Sequence, residues 1–150
     1  MPNWHPLVVH FPIVLLSTSV VVDLLALLRH REQWHRFAYA LLVAGLLSSL
    51  VAVITGTEAS LPYRSPSALA DLIQQHEDFG SLVFIVFMAT ALGRLPLFLQ
   101  RTAGWPLTMW IAVAGGGCVL LWWTAYYGGA LVYEHGVGVA GIGASSEADP

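Results

Sequence analysis

Four long apolar runs, spread over the whole chain, leave few ways for it to fold. Residues 7–28 are interrupted, among strongly polar or helix-breaking residues, only by His10, Pro12 and Asp23. Residues 37–55 hold no acidic, basic or histidine side chain, and residues 107–127 are uncharged throughout. The remaining run, 79–92, continues past Arg94 to Leu99. A helix needs about 20 mostly apolar residues to cross about 30 Å of hydrocarbon. Three runs reach that length directly, and the third gains it from a helical approach. Ser65-Pro66 reads as an N-cap with proline at the first helical position, and Leu69, Leu72, Ile73, His76 and Phe79 or Gly80 then share one face. That helix is expected to start near Pro66, outside the bilayer, and to enter it around His76. Only 10% of the 150 residues are charged, against about 25% in an ordinary soluble domain. This excludes both a soluble fold and disorder. The expected architecture is an all-α membrane protein: one transmembrane domain over 1–150, folded as a four-transmembrane-helix bundle with spans near 7–28, 37–55, 76–94 and 106–127.

All six basic residues are arginine. Arg29, Arg31 and Arg36 lie between spans one and two, Arg94 and Arg101 between spans three and four, and only Arg64 between spans two and three. The positive-inside rule assigns the arginine-rich loops to the cytoplasm. Glu58, Asp71, Glu77, Asp78, Glu134, Glu147 and Asp149 fall on the other side. Both termini are therefore expected outside, in the periplasm beyond a bacterial inner membrane. Trp4, Trp122, Trp123, Tyr126 and Tyr127 fit an outer aromatic belt, and Trp34, Phe37, Tyr39, Trp105 and Trp110 an inner one. No stretch concentrates positive charge enough for nucleic acid. The start, Met-Pro-Asn-Trp-His, lacks the positive n-region of a cleaved signal peptide. Cys118, the single cysteine, lies mid-span and reads as a small packing residue. No CxxCH sequence occurs for covalent haem attachment.

The six histidines carry the chemistry. His30 and His35, beside Arg31 and Arg36, read as solvated loop residues. His5, His10, His76 and His135 come from three chain segments yet map to one membrane face, where ionisable groups usually serve function. Neutral imidazoles without nearby cysteine or paired carboxylates suit zinc, copper or haem iron. On a continuous helix His5 and His10 point about 140° apart and so face separate centres. Pro12 should leave the Val8 carbonyl unpaired and kink the helix, opening space beside His10. Gly80, one turn after His76, would let a flat macrocycle approach, and Gly129 and Gly136 are read as further backbone positions at the cofactor. The stripe Gly45, Ser49, Ala52 and Gly56 reads equally well as close helix packing, as does Gly115-Gly116-Gly117. Gly128 and Gly129 should end span four. The following Ala-Leu-Val-Tyr would lie back on the outer mouth and deliver His135, with Gly136 and Gly138 supplying turns in a Gly-rich C-terminal segment folded over that mouth. Asp23 reads as an interfacial acid near Arg29 or Arg94.

HPLVVHFPI near the start, HEDFG at the head of span three and GGALVYEHGVGV after span four resemble, in order, the bacterial membrane family catalogued as domain of unknown function 2231. Some members look to be fused to, or encoded beside, Rieske or c-type cytochrome modules. The resemblance thus implies a place in a membrane electron-transfer chain, with His5, His10, His76 and His135 as the matching positions.

The leading expectation is a b-type cytochrome subunit with one or two non-covalent haem b groups near the outer face. His10 is expected to pair with His76 and His5 with His135. It would pass electrons to or from a c-type cytochrome, a Rieske protein or a larger membrane redox complex. The alternative is a cofactor-free accessory or scaffold subunit of such a redox or photosynthetic complex; a copper or zinc site, or a proton pathway, is a third reading. No nucleophile–base pair, phosphate loop or paired carboxylate stands out, so an electron-transfer subunit is expected rather than a stand-alone enzyme.

Overall fold

The computed structural model describes residues 4–63, 68–100 and 104–138. The Ser65-Pro66 cap, Arg64, Arg101 and the tail beyond Gly138, with Glu147 and Asp149, lie outside the described residues. The chain forms α1 (His5–Val8), α2 (His10–Arg29), α3 (Glu32–Ser60), a short 3-10 turn (Leu61–Tyr63), α4 (Ala68–Gln100) and α5 (Trp105–Tyr133). Among the described residues there is no strand. Only Val9 separates α1 from α2, and together they make one apolar span, His5–Arg29. The irregularity falls where Pro12 has no N–H for the Val8 carbonyl, and the next bond, Ile13 N–H to Val9 O, is stretched to 3.4 Å.

α2 ends where His30 takes a left-handed conformation, φ 50°. Its N–H reaches the Leu27 carbonyl at 3.4 Å, and that of Arg31 reaches Ala26 at 3.0 Å. This is the paired bonding of a Schellman turn, whose left-handed position favours glycine. His30→Gly is therefore expected to stabilise the protein by about 1 kcal/mol, read as a higher midpoint of unfolding in detergent micelles; a lower midpoint would show that the imidazole makes contacts worth more than the backbone strain.

The spans pack in a ring: α2 on α3, α3 on α4, α4 on α5, and α5 back on α2. An even number of antiparallel spans brings both described chain ends to one end of the bundle. The four described arginines, Arg29, Arg31, Arg36 and Arg94, gather at the other. Lipid tails are as apolar as leucine, so close packing must hold such helices together. The core comprises Leu16, Val20, Leu42, Leu46, Val83, Phe87, Ala114, Cys118 and Leu121, among others. Small residues set its spacing. A Cβ added at Gly45 would lie 2.6 Å from Leu16 Cδ2, and one at Gly93 would enter the Trp110 ring. Elsewhere the spans face outward: no span has more than 39% of its most apolar window buried, and Leu7, Phe11, Leu28, Phe37, Leu92 and Trp122 stand exposed. Such a surface fits a bilayer and not water.

Four expectations are corrected. Gly128 and Gly129 do not end the last span, because α5 runs through them to Tyr133. The stop is Gly136, at φ 65°, whose N–H bonds the Val132 carbonyl at 3.1 Å, the left-handed position that such a helix end requires. Ala-Leu-Val-Tyr accordingly continues the helix and does not fold back. Tyr39 belongs to the core and not to a belt: its ring stacks on Phe98 at 4.7 Å and its hydroxyl donates to the Ala91 carbonyl at 3.1 Å. His35 is no solvated loop residue, since it lies in α3 with Nδ1 2.7 Å from Asp23 Oδ1. Asp23 pairs with Arg94, one of its two expected neighbours, and both are buried.

Candidate functional site

At the end of the bundle that gathers both described chain ends, two imidazoles from distant segments face one another. His5 opens α1 and His76 lies in the third turn of α4. Their ring centroids are 6.2 Å apart and their planes cross at 82°. Each ring rests on a glycine of the helix behind it. A Cβ at Gly56 in α3 would come within 2.9 Å of His5 Cε1, and one at Gly128 in α5 within 2.9 Å of His76 Cε1. Any larger residue would have to push its imidazole away.

The rings are also oriented. His5 Nδ1 lies 3.0 Å from the Ala52 carbonyl and 3.3 Å from Thr55 Oγ1. A carbonyl only accepts, so Nδ1 carries the hydrogen. Histidines that bind metal commonly donate their second nitrogen to a carbonyl in this way, which fixes tautomer and ring direction. The His76 ring lies beside the Thr124 carbonyl of α5. His76 Nδ1 is buried and has no hydrogen-bond partner among the described residues, and the same holds for Glu77 Oε1 next to it. Buried polar atoms left unpaired are uncommon and ask for an explanation. Phe79, Trp123, Tyr126 and Tyr127 form an aromatic cluster at this end, with Phe79 and Tyr127 centroids 6.0 Å apart.

The other expected histidines stand elsewhere. His10 is exposed in the first turn of α2, and His135 is exposed just beyond α5. The structure brings His5 to His76, whereas the sequence suggested His10 with His76 and His5 with His135. A Cβ at Gly80 or Gly129 would meet nothing within 4 Å, and Gly136 serves the end of α5. Just beyond α5 the Gly138 N–H donates to the Tyr63 hydroxyl at 3.2 Å, tying it to the turn after α3.

Among the described residues no group of three or more histidine, cysteine or acidic side chains converges as a metal site. A metal–nitrogen bond of about 2.0–2.1 Å on each side puts the centroids of two ligating rings roughly 5–6 Å apart. The observed 6.2 Å, with the rings edge to face, lies close to that separation. The donor set fits a metal that brings its remaining ligands with it.

Antiparallel apolar spans with their polar groups sorted to the two ends define a multi-pass α-helical membrane protein. Within that class the chain belongs to the family described as "Predicted membrane protein (DUF2231)", whose model matches residues 2–141. No curated protein and no solved structure matches the chain.

Proposed function

We propose that this protein is a membrane-embedded b-type cytochrome subunit that carries one haem between His5 and His76 and passes electrons to or from a redox partner at the membrane surface. The observation that carries the reading is the ring pair itself: two remote imidazoles, each seated on a glycine, close enough together that both could hold one metal. Haem supplies a one-electron iron centre and four of its own nitrogen ligands, so two histidines suffice. Zinc or copper alone would need further protein donors. The Ala52 carbonyl holds the His5 tautomer, and the unpartnered Nδ1 of His76 has a reason to be unpaired if it ligates. The open flank at Gly80, one turn along from His76, and the ring cluster around Tyr127 would lie against the macrocycle. Both rings are half-buried, so the bundle would shield part of such a group from water.

The arginine distribution supports an orientation with the histidine end and both termini outside, in the periplasm of a bacterium, facing a c-type cytochrome, a Rieske protein or a larger redox complex. Histidine variants test the site. With haem supplied during expression, His5→Ala and His76→Ala should each lose the haem absorbance, while His10→Ala and His135→Ala retain it. Loss in His10→Ala with retention in His5→Ala would overturn the pairing. A folded protein that never takes up haem would favour the cofactor-free accessory subunit.

A further inference from the structure

The end of the bundle opposite the histidine pair holds a buried triad that the proposed cofactor does not use. Asp23 of α2 is fully buried and Arg94 of α4 is 3% exposed. The guanidinium reaches across the diagonal of the bundle, with Nη1 donating to Asp23 Oδ2 and Nη2 to Oδ1 at 3.0 Å. His35 of α3 completes the group, its Nδ1 2.7 Å from the same Oδ1.

The chemistry of the three groups assigns their protons. Arginine keeps its charge, and a carboxylate only accepts. His35 Nδ1 must therefore carry a hydrogen in both charge states of the ring, which leaves Nε2 as the position that can gain or lose one. Both Asp23 oxygens are already engaged by donors. Protonating Nε2 breaks no bond of the triad and takes its formal charge from zero to plus one. Solvent access points to the same atom's owner, because the His35 side chain is 12% exposed and that of Asp23 only 1%.

Of the spans around His35, α2, α3 and α4 carry charged groups at this end of the bundle. Asp23 and Arg29 belong to α2, and Arg94 to α4. On its own helix stand Glu32, Tyr39 and Arg36, whose guanidinium is turned over the Phe98 ring at 5.2 Å. α5 contributes no charged residue.

We infer that Asp23, His35 and Arg94 form a proton-binding site at the arginine-rich end, with His35 Nε2 taking up the proton from solvent while Asp23 holds the ring in place. Uptake turns the α2–α3 contact from a neutral-donor hydrogen bond into one between two ions, which is shorter and stronger. The site needs neither haem nor the opposite end, so its fate is separate from that of the cytochrome reading.

Histidine-labelled full-length protein in lipid nanodiscs tests it by nitrogen NMR between about pH 8 and pH 5, the range in which histidine changes charge. His35→Gln identifies the His35 signals by their disappearance and keeps a donor for the carboxylate. The expected result is an Nδ1–H tautomer at high pH that becomes imidazolium at low pH, its Nδ1 proton hydrogen-bonded throughout. A ring that stays neutral across the range, or one protonated on Nε2 at high pH, would overturn the assignment.

Discussion

Arg94→Met is expected to destabilise the bundle by about 3–5 kcal/mol, the cost of leaving a buried charge without its partner. Asp23 is wholly enclosed, and Arg94 engages both of its oxygens. His35 touches only Oδ1 and cannot replace the fork. The double variant Asp23→Leu/Arg94→Met should regain most of the loss, because exchanging a whole buried pair for apolar groups is often neutral or better. Denaturant midpoints of the single and double variants in one detergent measure both effects. A cost below about 1 kcal/mol for Arg94→Met, the range of exposed pairs, would mean that the two groups are solvated.

The adjacent glycines of α5 should respond in opposite directions. Gly129→Ala adds a methyl group that meets nothing within 4 Å, and the better helix propensity of alanine should stabilise by up to about 1 kcal/mol. Gly128→Ala puts the same methyl group 2.9 Å from His76 Cε1. The ring must move, at a cost of about 1–3 kcal/mol typical of overpacking, and its direction towards His5 is lost. Haem content should therefore fall in Gly128→Ala and hold in Gly129→Ala. Gly56→Ala should resemble Gly128→Ala, through His5. Equal haem content in all three variants would mean that the glycines only shorten the distance between helices.

The spans were legible because a run of apolar residues long enough to cross a membrane has few other uses. α4 is already helical at Ala68, and its approach carries His76 as its spacing implied. Half of the site was also within reach. Antiparallel helices rise by the same amount per residue, so residues equally distant from a turn meet: His5 and Gly56 about the turn at His30 and Arg31, His76 and Gly128 about the 101–103 connection. The small-residue stripe of span two thus held a seat for His5, although close packing also explains its Gly45 member. What periodicity could not reach was the meeting of His5 with His76, which depends on how the two hairpins sit against each other. The end of α5 was misjudged for a related reason. A glycine pair in a membrane helix can make room for a side chain as readily as it can stop the helix, and only the backbone at Gly136 shows where the stop is. His35 was hidden by its arginine neighbours, which read as a solvated loop while the ring turned inward to a carboxylate.

The most direct test of the cytochrome reading is the reduced-minus-oxidised absorbance spectrum of the purified wild-type protein, expressed with haem in supply and assayed for haem per chain. One haem per chain, with a Soret band and an α-band that sharpens on reduction, is the expected result. A folded, colourless protein with no iron would contradict it.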